Sequence, residues 1–212
     1  DITRDNDETF HRTDKKIRQK NTLVELAREI SKSAFMPITF GGSIDNHETA
    51  IELIQNGADK VLINSSAHTN PDLISRIAKV AGAQAIMVGI DVKRVDGKLV
   101  PHVNQGTTPL DIDFVALALR AENAGAGELL LNSIDHDGTG QGYDLELMKK
   151  VSDAVTIPTI ACGGVGGFSD FVDGIIEGHA DAVAAGNIFH FTENSYRRAK
   201  KYLISKKLNI RF

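Results

Sequence analysis

Two short glycine-rich stretches contain residue types suited to holding an anion. The segments 40-FGGSI-44 and 161-ACGGVG-166 each follow an apolar run and open a segment with helical spacing. A glycine turn that begins a helix presents backbone N–H groups at the positive end of the helix dipole, which together favour phosphate. Each turn is followed by a polar tip on the next apolar run: Asn64 and Ser65 in one case, Gly186 and Asn187 in the other. Asn and Ser add neutral donors, and a glycine lets a ligand approach the backbone closely. Gly42, Ser43, Asn64 and Ser65 therefore form one candidate cradle, and Gly164, Gly186 and Asn187 a second. The alternative is that each Gly-Gly pair only makes a compact turn. The recurrence of the whole constellation favours two phosphate cradles, suited to a substrate phosphorylated at both ends.

Carboxylates come next. Asp91 ends the apolar run 85-AIMVGID-91, and Asp135 and Asp137 lie in 134-IDHDGTGQGYD-144. In a parallel barrel, a carboxylate at the C-terminal end of a strand serves chemistry, whereas one at the opposite end serves stability. A buried carboxyl group with no cation beside it is suited to general-acid work. The alternative for Asp91 is capping, or pairing with Lys93 or Arg94. Lys60 and Glu128 begin strands, and their position alone reads as a structural ion pair. None of the seven histidines has metal-ligand spacing with a second ligand; His136 could touch substrate, and His190 reads as packing. Cys162 reads as a small buried residue. No metal site, serine triad or cofactor motif is expected.

The elements that must position these residues come from an internal repeat. Gly42 and Gly164, Ala58 and Ala180, Asp59 and Asp181, and Ser65 and Asn187 are all offset by 122 positions, without gaps between them. Each copy reads as strand, glycine turn, helix, strand, with strands at 36–40 and 60–64, then at 157–161 and 181–185. These are short apolar runs without alternation, expected of parallel strands buried on both faces. Two more strands, 85–91 and 127–135, are joined by a helix at 112–125. Strands alternating with helices in two tandem halves predict a (β/α)8 barrel of duplicated half-barrels. The expected domain is a single barrel over 1–212, with 1–66 the remainder of the first half and 85–191 the second.

The strand count falls short in the first half. The stub 1–3 matches the strand end 133–135, and the mate of the strand ending at Asp91 is absent. The expectation is that strand 1, helix 1 and most of strand 2, roughly 50 residues given the length of a βαβ unit, precede this chain. From Asp1 to Gly41 is 40 positions, against 28 from Asp135 to Gly163, so the first half carries an insertion. It falls in the polar segment 4–20, read either as a lid or as a solvated loop.

Composition narrows the class. At 212 residues, with 42% hydrophobic and 25% charged, the chain has the make-up of a soluble globular protein. A net charge of -4 argues against nonspecific nucleic-acid binding. The single cysteine excludes an intrachain disulfide and fits a cytoplasmic location. No apolar run approaches the ~18 residues of a membrane helix.

Taken together, GGSI, GADKVLINSSA, GIDVKR, GAGELLLNSIDHDGTGQGYDLEL, IACGGVG and NIFHF resemble the cyclase-subunit family of imidazole glycerol phosphate synthase. The resemblance covers nearly the whole chain. It implies a (β/α)8 barrel that takes ammonia from a separate glutaminase subunit and uses no cofactor. The substrate is a bisphosphorylated ribulosyl aminoimidazole-carboxamide nucleotide; the products are imidazole glycerol phosphate and aminoimidazole-carboxamide ribotide. Two aspartates act as acid and base, and Asp91 matches the second. Gly42, Asn64 and Ser65 match one phosphate site, with Ser43 in the same turn, and Gly138, Gly164, Gly186 and Asn187 match the other. Asp137 and Asn132 fall at substrate-contacting positions. Lys60 and Glu128 match members of an ion-pair ring through which ammonia enters, which displaces their purely structural reading. Ser43 stands where a third glycine is usual, Asn132 where threonine is usual, and Asn187 where serine is usual. These departures at the substrate end resemble paralogues that amidate sugars for surface polysaccharides or glycans, which is the alternative expectation.

Overall fold

The computed structural model describes residues 22–190 and 195–210 of the chain. The stub 1–3 and the insertion 4–20 lie outside the described residues. The chain forms two compact units, one of residues up to Val88 with Ala124–Gly127, the other of Gly89–Asn123 with Glu128 onward.

The first unit begins with α1 (Leu23–Ser31), then β1 (Thr39–Gly41), α2 (His47–Gln55), β2 (Lys60–Ile63), the short α3 (Ser65–Thr69), α4 (Asp72–Ala81) and the start of β3 (Ile86–Val95). A reciprocal capping box starts α1: Thr22 Oγ accepts from the Glu25 amide at 3.2 Å, and Glu25 returns a carboxylate to the Thr22 amide at 2.9 Å. Asn46 caps α2 through the Thr49 amide at 2.8 Å. β1 and β2 run parallel with Thr39 opposite Lys60, and β2 and β3 run parallel with Val61 opposite Ile86. Leu53, Val61, Ile63, Leu73, Ile74, Ile77 and Ile86 are buried in this unit's core.

The second unit continues β3 and adds β4 (Lys98–Val103) and β5 (Thr108–Pro109). It then holds α5 (Phe114–Ala124), β6 (Glu128–Ser133), α6 (Leu145–Ser152), β7 (Thr159–Cys162), α7 (Phe168–Ile176), β8 (Ala182–Val183) and α8 (Ser195–Ser205). β6, β7 and β8 pair in parallel. β3 runs on past Asp91 into an antiparallel hairpin with β4, an element the uninterrupted apolar run at 85–91 did not predict. Strand–helix alternation with parallel pairing in both units is the succession of a (β/α)8 barrel. No helix among the described residues is long and apolar enough to cross a membrane.

The strands also differ from expectation in their burial. β2 and β6 alternate in burial: Val61, Ile63, Leu129 and Leu131 are buried, while Lys60, Leu62, Glu128, Leu130 and Asn132 are half-buried. The alternation is invisible in the sequence because leucine occupies the middle of the more open face as well. That face is the one that bears polar residues at both strand ends.

The repeat also has a structural function that its spacing alone did not reveal. Asp59 accepts from the Ile38 amide at 2.8 Å, while its own amide donates to the Ile38 carbonyl at 2.9 Å. Asp181 does the same with Thr159, at 2.9 Å and 3.0 Å. Each aspartate thus closes the entrance to two neighbouring strands, just after Pro37 or Pro158. Thr159 is fully buried, whereas Ile38 is half-exposed. Asp181→Ala strands a buried amide and is expected to cost about 1–3 kcal/mol in urea denaturation, and Asp59→Ala clearly less.

A second clasp responds to pH. The Thr156 hydroxyl donates to Glu122 Oε1 at 2.5 Å, joined by the Thr156 and Ile157 amides at 2.8 and 3.2 Å. These bonds hold the Glu122 carboxyl below its usual value of 4.5, the Thr156 hydroxyl first among them. A depressed folded-state value contributes stability above the unfolded pKa and loses it as pH falls through the folded one. Wild type should therefore lose stability more steeply than Glu122→Gln between about pH 5 and 3 in urea titrations.

Candidate functional site

In the first unit, the turn after β1 and the end of β2 come together. Gly41 must lack a side chain, because a Cβ there would lie 2.8 Å from Leu62 Cβ on the neighbouring strand. Gly42 and Ser43 both take positive φ, 104° and 55°. Ser43 therefore carries the strain that a glycine would avoid. β2 ends at Ile63, one residue earlier than expected, so Asn64 is the N-cap position of α3 and Ser65 its first residue. Ser66, which the sequence reading passed over, donates its hydroxyl to the Ile44 carbonyl and ties the two loops together. The structure thus brings Gly42, Ser43, Asn64 and Ser65 to neighbouring loops at the same strand ends. Lys60 begins the face of β2 whose line ends at Asn64.

In the second unit, the turn after β7 interlocks with the loop 134–144. Gly163 and Gly164 have φ of 87° and 99°. A Cβ at Gly164 would meet the Gly142 carbonyl at 2.1 Å, and one at Gly166 would meet the Gly140 carbonyl at 2.2 Å. The Gly142 amide donates to the Gly164 carbonyl at 2.7 Å, and His136 Nδ1 donates to the Gly142 carbonyl at 2.8 Å. His136 is thereby a brace of the loop. Gly138 also needs positive φ, 75°, but a side chain there would meet nothing within 4 Å. Gly186 is equally open, and Asn187 begins a 3-10 turn, 187–189. His190, read as a packing residue, is exposed.

Each of the two turns leads into a capped helix start. Asn46 takes the Thr49 amide, and Asp170 accepts from the Gly166 and Gly167 amides at 2.8 and 3.0 Å. Asp170 was not recognised in the sequence, although an acid three residues after a glycine N-cap was a visible signal.

Asp91, Asn132 and Asp137 converge at the β3, β6 and β7 ends. Asn132 Nδ2 donates to Asp91 Oδ1 at 3.1 Å. Asn132 pairs in register with Cys162, and its Oδ1 is buried with no hydrogen-bond partner among the described residues. Gly163 leaves room for that oxygen, since a Cβ there would approach it to 2.6 Å and Asp137 Cβ to 3.5 Å. Burial pushes the Cys162 thiol up, and the carboxylates of Asp137 and Asp91 push it the same way. Cys162 is half-buried, and its thiol stays protonated at neutral pH. His102 was also missed: it is buried and lies directly opposite Asp91 on β4, with Nδ1 bonded to the Val100 carbonyl at 2.9 Å. Arg94, weighed as a partner of Asp91, directs its guanidinium to Asp144 and Glu146, both at 3.0 Å. Glu128 starts the face of β6 that ends at Asn132. Among the described residues no cluster of three or more His, Cys, Asp or Glu side chains could hold a metal ion.

Comparison with known proteins places this geometry in context. Residues 13–195 match the family described as "Histidine biosynthesis protein". The chain is 43% identical over 195 residues to imidazole glycerol phosphate synthase subunit HisF of Chlorobium luteolum, covering 92% of this chain and 78% of the relative. The protein of the same name from Chlorobaculum parvum is 44% identical over the same shares. That of Alkaliphilus metalliredigens is 43% identical over 91% of this chain and 77% of its own.

The interlocked glycines differ in what they require. Gly164→Ala drives a Cβ into a backbone carbonyl and forces a left-handed residue, so a loss of about 2–4 kcal/mol is expected in urea unfolding. Gly138→Ala incurs only the conformational part, about 1–2 kcal/mol.

Proposed function

Because the chain belongs to the histidine biosynthesis protein family, we propose that it acts as the cyclase subunit of imidazole glycerol phosphate synthase. In this reading it is an ammonia-dependent lyase. It converts a bisphosphorylated ribulosyl aminoimidazole-carboxamide nucleotide to imidazole glycerol phosphate and aminoimidazole-carboxamide ribotide. The observation that carries the reading is a shared strand design. β2 places Lys60 at its start and Asn64 beyond its end, β6 places Glu128 at its start and Asn132 near its end, and within each strand the pair lies on one face. A charged entrance and a polar exit on the same strand face suit a small polar molecule passing from one end of the strands to chemistry at the other.

The substrate's two phosphates are met by the turns ahead of the capped helices. Gly42 and Ser43 with Asn64 and Ser65 take one; Gly138 and Gly164 with Gly186 and Asn187 take the other. Asp91 moves the proton at the reacting centre. Its carboxylate is oriented by the Asn132 amide, so an asparagine here can perform a positioning task in place of the usual threonine. Asp137, exposed beside Gly163, contacts the substrate. Lys60 and Glu128 admit ammonia supplied by a glutaminase partner at the amino ends of the strands.

Turnover of the bisphosphate substrate by the full protein with ammonium salt is the direct test, and none at high ammonium overturns the reading. Asp91→Asn should lower kcat by roughly 10²-fold or more with the fold intact by circular dichroism. An unchanged rate would remove Asp91 from the chemistry. The gene should also restore growth without histidine to a strain lacking its own cyclase; failure to do so would point to amidation of a sugar.

A further inference from the structure

We propose that Arg94 is a positioning residue that pins both ends of the loop 134–144 and so holds Asp137 against the turn after β7. The proposal deepens the reading of this loop as part of the substrate site and rests on it for the kinetic outcome only.

The bonds of Arg94 carry the argument. It lies three residues beyond Asp91, where β3 has become the hairpin with β4, with Leu99 opposite. Its backbone amide, which a side-chain substitution leaves in place, donates to Asp135 Oδ2 at 2.5 Å and fixes the beginning of the loop, so the variants below test the side chain's hold on the loop's end. Its Nη2 donates to Asp144 Oδ2 and Glu146 Oε2, both at 3.0 Å, which fixes the loop's end. Nη1 reaches the Gly97 carbonyl at 3.3 Å and closes the hairpin turn back on the same side chain. Asp144 is buried, and its other oxygen caps α6 through the Leu147 amide at 3.1 Å. A planar guanidinium can serve these diverging acceptors together, which an ammonium on a flexible stem cannot.

The loop needs such a clamp. Gly138, Gly140 and Gly142 all hold positive φ, and glycines lose more conformational freedom than other residues when fixed. Between the two ends, the Gly142 amide and the close glycine contacts tie the loop to the next turn. Arg94 is about one-third exposed and Glu146 about half, so that pair contributes little to global stability, whereas the bond to buried Asp144 contributes to it as well. Beyond any cost in stability, the clamp sets where the loop sits.

Amide hydrogen exchange on the full chain tests this without any substrate. In Arg94→Met the amides of residues 137–142 should exchange at least ~10-fold faster, while those of β7 stay unchanged. Exchange as slow as in wild type across 137–142 overturns the proposal. With the bisphosphate substrate, KM should rise about 10-fold and kcat change less than about 3-fold, the split expected when ground-state and transition-state binding fall together. A lower unfolding temperature with KM unchanged would make Arg94 merely structural and also overturn the proposal. Arg94→Lys keeps the charge and loses the fork; it should fall between wild type and Arg94→Met in both measurements. Should Arg94→Met fail to fold, Arg94→Lys decides by its exchange rates. A protein that does not turn over this substrate but shows the exchange change would refute the proposed function and leave the clamp standing.

Discussion

The carbonyl of Gly142 occupies the space in which a side chain on residue 164 would stand, and the Gly142 amide bonds the Gly164 carbonyl in return. The two loops can come this close because residue 164 has no Cβ, while Gly142 supplies the left-handed backbone, φ 87°, that the loop needs there. The rest of the second unit's site follows from that contact. It brings the loop carrying Asp137 to the turn carrying Gly163, and it leaves Asn132 facing Asp91. His136 reinforces it with a ring N–H, and Asp170 secures the following helix. The glycines at 163–167 therefore serve packing as well as any ligand, and the compact-turn reading and the phosphate reading describe the same residues.

The first unit reaches a comparable arrangement by different means. Gly41 answers to Leu62 on the neighbouring strand, and the loops are joined by the Ser66 hydroxyl instead of a backbone pair. Ser43 accepts a left-handed backbone in a position where glycine would be unstrained. The Asp59 and Asp181 clasps, by contrast, are common to both units and fasten strand entrances rather than strand exits. Stability is thus secured at one end of the strands while the other end is left to loops, the division of labour expected in a parallel α/β barrel.

Much of the scaffold is legible in the sequence. The apolar runs located β1, β2, β3, β6, β7 and β8 to within a few residues, and helical spacing located α2, α5 and α7. The repeat placed the glycine turns and the strands they join. What escaped was structure without a strong period or apolar signal. The β3–β4 hairpin contains lysine, arginine, aspartate and proline, and its backbone pairing is satisfied whatever those side chains do. The alternation of burial was hidden by leucines at positions 62 and 130.

The sequence by itself determined the order of elements, the duplicated turns and the residue types at the strand ends, because these depend on local periodicity and on where glycine is tolerated. Only the tertiary structure decided which polar groups meet. Asp91 with Asn132, Arg94 with Asp135, Asp144 and Glu146, and Asp170 with the amides ahead of α7 are each fixed by hydrogen-bond geometry. For Asp91, Asn132 and Arg94 the partners lie some 40 to 50 positions apart in the chain. Such bonds require atoms that folding brings together to be placed to within a few tenths of an ångström, and no spacing along a chain encodes that.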